Sequence, residues 1–206
     1  MIHYKAKGSP EVALRIEQLL QQHSIPTGRE FHRGLDHGTW VILNSLFPEA
    51  NIPVVQCSID GHQSSVEHHF RIGQAVAPLA HENVLVIGSG VTVHNLRKMN
   101  WKGGEKQHVQ KWVFDFDQWL IDQLLQQRNV KNLFDYEKLA PNARDAVPSE
   151  DHFVPLFVPM GMGFSGEFEE ATTKRLEPPS ISSSVQPQVL ERFYDFGCLS
   201  YLVISF

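Results

Sequence analysis

The chain has 206 residues, of which 42% are hydrophobic and 20% charged, ordinary values for one soluble globular domain with a real core. Its formal net charge is −5 with no long run of one sign, which argues against nucleic acid as the main partner. Apolar runs such as residues 84–87 and 201–204 are far too short to span a bilayer, and the first residues lack the apolar core of a secretory signal. A cytoplasmic protein with no membrane partner is therefore expected.

Two cysteines, Cys57 and Cys198, sit in apolar, strand-like segments outside any paired metal motif, and both are expected to be buried and reduced. Eleven histidines in a chain of this size invite a search for metal or proton-transfer chemistry.

Along the chain, residues 11–22 carry apolar side chains at the spacing of an amphipathic helix, with Ser9 as the cap and Pro10 at its first position. Residues 34–38 read as a polar loop bracketed by glycines, and residues 40–47 as a short helix closed by Pro48. The uncharged, β-branched run IPVVQCSI at 52–59 predicts a buried strand, as does NVLVI at 83–87. Between them, 64–79 predicts a helix with Val66, Phe70, Ile72, Val76 and Leu79 inward. A further helix is predicted over 112–127, and an irregular region over 129–148 with a short helix around 133–139. Ser149, Glu150 and Asp151 read as the cap of a helix running through 152–158. A serine- and proline-rich loop at 178–187 precedes a terminal apolar strand at 199–206. Strands separated by helices imply an α/β fold in one domain, with a mostly parallel central sheet flanked by helices on both faces.

Three places combine a histidine with a backbone setting suited to a site. His94 follows Gly88-Ser89-Gly90 directly after a predicted strand, where open α/β sheets collect ligands; the same pattern also fits a tight turn with a structural histidine. The glycine spacing matches neither the dinucleotide fingerprint nor the P-loop. His37 lies between Gly34 and Gly38, next to Asp36, which could equally cap the following helix. His152 opens an apolar helix, and its surroundings in sequence do not say whether it faces solvent, core or cleft. His62, His68 and His69 lack the i, i+4 spacing of a helical zinc site and read as solvated residues.

Taken together, these segments carry a resemblance. RGLDHGTWVILNSLFPEANIPVVQCSID is similar to the GLDHG loop, helix, P-E-A-(D/N)-I-P turn and V-V-Q strand of extradiol aromatic-ring-opening dioxygenases of the 4,5-DOPA dioxygenase type. NVLVIGSGVTVHNLR resembles their GSG–HNLR loop, and DYEKLAPNARDAVPSEDHFVPLFVPMG their late P-(S/T)-x-(D/E)-H-(F/Y)-x-P-L segment. IHYKAKGSPEVALRIEQLL and YDFGCLSYLVISF look like the family's Y-x-A-x-G-S-P-E helix and terminal strand, in the family's order.

The resemblance implies non-haem Fe(II)-dependent extradiol cleavage of a catechol-type ring with O2, with Zn(II) as a metal that can occupy the same site. By resemblance, His94 and His152 match metal-binding histidines, and His37 matches the pocket acid/base. A histidine titrating near neutrality can take a phenolic proton and later return one. The partners implied are a small aromatic diol and O2; a homo-oligomer is left open.

One departure matters. The family's chains begin with strands ending in H-G-S-P and S-A-H-W, each supplying a metal ligand, and neither motif occurs in this sequence. The expectation is a chain lacking the family's N-terminal strands, with His94 and His152 as the matched ligands where about three are usual. The alternative reading is a truncated, catalytically weak or inactive metal-binding remnant.

Overall fold

A computed structural model describes residues 4–61, 65–101, 108–127, 129–164 and 186–206. His62 and most of the serine- and proline-rich stretch, residues 178–185, lie outside the described residues. By its internal contacts the chain divides into two compact units, Met1–Ile59 and Asp60–Phe206.

The first unit holds two helices. Helix α1, Pro10–Gln22, starts where expected: Ser9 Oγ accepts the amide of Val12, and proline occupies the first turn. Helix α2, His37–Leu46, is capped by Asp36, whose carboxylate accepts from the Thr39 amide and hydroxyl, each at 3.0 Å. Gln56 ties this cap to the segment 52–59 by accepting from the Asp36 amide at 2.8 Å and the Thr39 hydroxyl at 2.9 Å. Tyr4 donates to the Phe47 carbonyl, and the Val54 amide to the Lys7 carbonyl. Cys57 is exposed, contrary to the burial expected of it.

The second unit packs helices against a small sheet. Helix α3, Val66–Val76, and helix α8, Phe157–Gly163, touch backbone to backbone at two glycines. A β-carbon on Gly73 would strike the Val158 carbonyl, and one on Gly161 the Phe70 carbonyl. Between them in sequence run α4, Lys111–Ile121, which passes into a π-helical turn at Asp122–Gln127, then α5, Val130–Phe134, α6, Tyr136–Leu139, and α7, Ala143–Ala146. Phe116, Leu120, Leu133, Phe153 and Phe157 are all fully buried and belong to one core. Phe153 lies at the centre of an aromatic cluster, with its ring 4.8 Å from Tyr136, 5.3 Å from Phe157 and 5.9 Å from Phe116.

The α/β mixture is as expected, but the mostly parallel central sheet needs correction. Among the described residues the sheet has three strands in the order β1-β3-β2, all antiparallel: β1, Val93–His94, β2, Gln188–Asp195, and β3, Leu199–Ser205. Residues 52–59 and 83–87 join no ladder among the described residues; Val54 makes one backbone bond, to Lys7, and Asn83 is a turn residue at positive φ. Helix α4 covers one face of the β2–β3 hairpin, while Phe193 and Val203 on the other face remain exposed. The hairpin turns through Phe196 and Gly197, both at positive φ, and the Cys198 amide closes the turn on the Asp195 carbonyl.

His69 also departs from expectation. It is 1% exposed, not solvated. Its Nδ1 lies 3.1 Å from the Ser65 carbonyl, and its Nε2 accepts the Asp60 amide at 3.2 Å. That pattern suits the neutral ring with its proton on Nδ1. Burial holds the imidazole below its ordinary value of 6.5, so near that pH the folded chain binds fewer protons than the unfolded one. The stability contributed by neutral His69 is complete above the unfolded value and is lost as the pH falls below it. The melting midpoint of the metal-free chain is therefore expected to drop by several degrees between about pH 7.5 and about pH 5.5. His69→Gln keeps one donor and one acceptor without the titration and should flatten that slope; an unchanged slope would assign it to another group.

Candidate metal centre

The site grows from a close approach of two segments in the second unit. The run Val84-Leu85-Val86-Ile87 delivers the chain to Gly88-Ser89-Gly90, which lies against the turn at 152–155. The space is too small for side chains: a β-carbon on Gly88 would meet the Pro155 carbonyl, and one on Gly90 the His152 carbonyl. The next residue, Val91, donates its amide to that His152 carbonyl at 2.9 Å. Thr92 then bonds Ser200, and β1 carries Val93 into the core and His94 to its edge.

After His94 the chain is pinned by Asn95. Its amide group donates to the Asp145 carbonyl at 2.9 Å, its oxygen accepts from the Arg97 amide, and its backbone carbonyl accepts from the Cys198 thiol. Cys198 is buried and free, as expected. The H-N-L-R segment is thus held through its buried first two residues, His94 and Asn95, while Leu96 and Arg97 are exposed.

The 149–156 segment comes from elsewhere in the sequence. In place of the predicted helix, it forms short 3-10 turns at Glu150–His152 and Val154–Leu156 before α8 begins. Pro155 and the bulk of Phe153 account for the interruption, since Phe153 and Val154 must both reach the core. Ser149 makes no helix cap; its hydroxyl donates to Asp151 at 2.6 Å. The Tyr136 hydroxyl donates to Glu150 at 3.2 Å and steadies the same turn.

These two segments bring His94, Asp151 and His152 together. Their ligand atoms all lie within 4.8 Å of one another. The two imidazole rings stand nearly perpendicular, with centroids 4.6 Å apart. His94 Nε2 is 3.2 Å from Ser149 Oγ and 3.9 Å from Asp151 Oδ1, and His152 Nε2 is 3.4 Å from Asp151 Oδ2. His94 is buried, whereas Asp151 and His152 are about half exposed. Burial, and then the neighbouring His152, hold the His94 imidazole below its ordinary value, against the pull of Asp151. The Ser149 hydroxyl holds the Asp151 carboxyl below the usual carboxylate range, helped by the two histidines.

A metal ion suits this arrangement. Two imidazoles and a carboxylate are a common donor set for a divalent transition metal, and the exposed side leaves room for further ligands. His94 Nδ1 is a buried nitrogen with no hydrogen-bond partner, so this atom is not consumed by structural contacts. Sequence reading named His94 and His152 and missed Asp151, which it took as part of a helix cap. The adjacency of Asp151 and His152 was the available signal. His37 belongs to the other compact unit, exposed in the first turn of α2, where Asp36 acts as the cap.

Comparison with known proteins places the chain in a family. Residues 1–186 match the family described as the catalytic LigB subunit of aromatic ring-opening dioxygenase, and the chain belongs to that family. That match runs across both compact units. Among curated relatives, the chain is 43% identical over 171 residues to a 4,5-DOPA dioxygenase extradiol of Beta vulgaris, an alignment covering 82% of this chain and 60% of that protein. It is 37% identical over 164 residues to the protein of the same description from Mirabilis jalapa, covering 78% and 58%. The chain thus spans about three fifths of the length of these relatives. The crystal structure of an uncharacterized protein from Escherichia coli K12 has a TM-score of 0.75 to it at 29% identity, covering 98% of this chain and 75% of that one. No helix among the described residues is long and apolar enough to cross a membrane.

The tight seat of Gly90 can be tested directly. Gly90→Ala places a methyl group against the His152 carbonyl and is expected to cost ~1–3 kcal/mol in urea denaturation. Divalent-metal affinity should fall with it, because the turn carrying His152 is the part that must move.

Proposed function

We propose that this chain carries a metal centre of an extradiol dioxygenase, which opens a catechol-type ring with O2 beside its diol. The single observation that supports this most is the meeting of His94, Asp151 and His152 in a chain of the ring-opening dioxygenase family. The relatives' description, 4,5-DOPA dioxygenase extradiol, points to a DOPA-like diphenol as the substrate class.

In this reading His94 and His152 ligate the metal through neutral imidazole, and Asp151 lies beside them as a third donor. Fe(II), when bound, would supply the redox-active centre at which the diol and O2 meet; Zn(II) would fill the same donor set without redox chemistry. The depressed basicity of His94 favours its neutral, ligating form near pH 7. His37 serves as the acid/base: it takes a proton from the phenol on the way in and returns one to oxygen later.

The test is anaerobic loading of the full chain with Fe(II), followed by O2 uptake with DOPA and with simpler catechols. We expect near-equimolar metal and O2 consumed in proportion to the diphenol. His94→Ala and His152→Ala should each weaken metal binding at least ~10-fold, while His37→Gln keeps the metal and loses ~10²–10⁴-fold in turnover. Failure to bind iron or zinc would remove the metal centre from this reading. Metal without O2 uptake would favour a non-catalytic, metal-binding member of the family.

A further inference from the structure

The most heavily buried charged side chain in the described residues has no part in the site as built so far. Asp117, on α4, is 0% exposed. Its Oδ1 accepts the Thr92 hydroxyl at 2.7 Å, and its Oδ2 accepts the Ser200 hydroxyl in a very short hydrogen bond. Arg192 on β2 brings its Nε to 3.6 Å from the same Oδ2. The guanidinium is itself held by the Gln118 side chain and the Phe114 carbonyl, with Phe114 and Tyr194 against its face. One carboxylate therefore joins a helix, the approach to β1, and both strands of the hairpin.

The energetics of such a group are one-sided. Taking a carboxylate fully out of water is costly, and donors at best offset that cost; an apolar side chain of similar volume would hold α4 to the sheet about as well. Overall stability is thus a poor account of why a carboxylate stands there. Register is a better one. Strand β1 is only two residues long, pairing Val93 with Ser200 and His94 with Leu199. Two residue pairs cannot define their own alignment firmly. A slip of one residue would turn both side chains over, taking Val93, now 0% exposed, off its core face and the His94 ring away from the His152 ring. Thr92 and Ser200 are the residues that Asp117 grips, and they are also bonded to each other, Thr92 amide to Ser200 carbonyl at 3.1 Å.

We infer that Asp117 is a positioning residue for His94: by clamping Thr92 and Ser200 together it fixes the register of β1, and so the place of the metal-ligating imidazole. The inference rests on the proposed reading of His94 as a ligand. Asp117 acts through the strand, by its bonds to Thr92 and Ser200.

The test is metal affinity in the full chain, measured with Zn(II) against a competing chelator, together with the visible spectrum of the Co(II)-loaded chain and the melting midpoint. Thr92→Val removes the hydroxyl that bonds Asp117 at nearly constant volume, and Thr92→Ser restores it. We expect Thr92→Val to bind Zn(II) ~10–100-fold more weakly, with a shifted Co(II) spectrum and a melting midpoint within a few degrees of the parent. Thr92→Ser should return both metal readouts toward the parent. Asp117→Asn should weaken binding as Thr92→Val does; where it fails to fold, the threonine pair decides. Parent-like affinity and spectrum in Thr92→Val would overturn the inference while leaving the metal centre standing. Parent-like affinity in His94→Ala, or no Zn(II) binding by the parent chain, would overturn the metal reading and this inference with it.

Discussion

The candidate site depends on one close approach: a glycine-containing segment laid against a turn from sixty residues further along the chain. Gly88 and Gly90 leave no space beneath them for a β-carbon, and the Val91 amide closes the contact on the His152 carbonyl. Only because the backbones meet this tightly can a histidine four residues past Gly90 stand beside His152. Larger residues at either glycine would hold the two segments apart by the width of a methyl group or more. The site's dimensions are thus set by main chain against main chain, which is stiffer than any side-chain contact.

Electrostatics divides the cluster unevenly. His94 is buried, and desolvation together with the second imidazole disfavours its charged form. Asp151 is half exposed, and its carboxyl is held below the usual range chiefly by the Ser149 hydroxyl. A neutral, inward imidazole and an ionised, outward carboxylate are the protonation states that a divalent cation requires of its ligands. The protein holds these states before any cation arrives, so little protonic work would remain for binding. The small residual cost is the proximity of two rings that cannot both be charged comfortably.

Several of these features were legible in the sequence and several were not, for physical reasons. Helix α1 declared itself through Ser9, Pro10 and a clean apolar stripe, all local signals. Asp36 capping α2 was equally local, and it is what the structure records. The strand runs 52–59 and 83–87 had the right composition, but a ladder also needs a neighbour, and composition is blind to neighbours. Strand β2 was overlooked because Glu191 and Arg192 interrupt its apolar pattern; Arg192 is drawn inward by Asp117, a contact across 75 positions in the sequence. His69 read as solvated because its partners, Ser65 and Asp60, satisfy it through backbone groups that no side-chain pattern reveals. The histidines of the site came from motif resemblance, whereas Asp151 came only from three-dimensional proximity.

The asymmetry of the site has a mechanical counterpart. His94 is fixed on both sides, by β1 before it and by Asn95 after it, whereas His152 and Asp151 project from short 3-10 turns into solvent. What restrains those turns is the residue that follows: Phe153 plants its ring among Tyr136, Phe116 and Phe157, and Tyr136 reaches back to Glu150. An exposed pair of candidate ligands therefore inherits the rigidity of an aromatic core one residue away. Truncating Phe153 would leave the donors chemically intact and still loosen them, since a cavity at the centre of that cluster costs ~3–5 kcal/mol and frees the turn it anchors. The geometry of the candidate metal donors is in this sense a property of the core beneath them rather than of the exposed residues themselves.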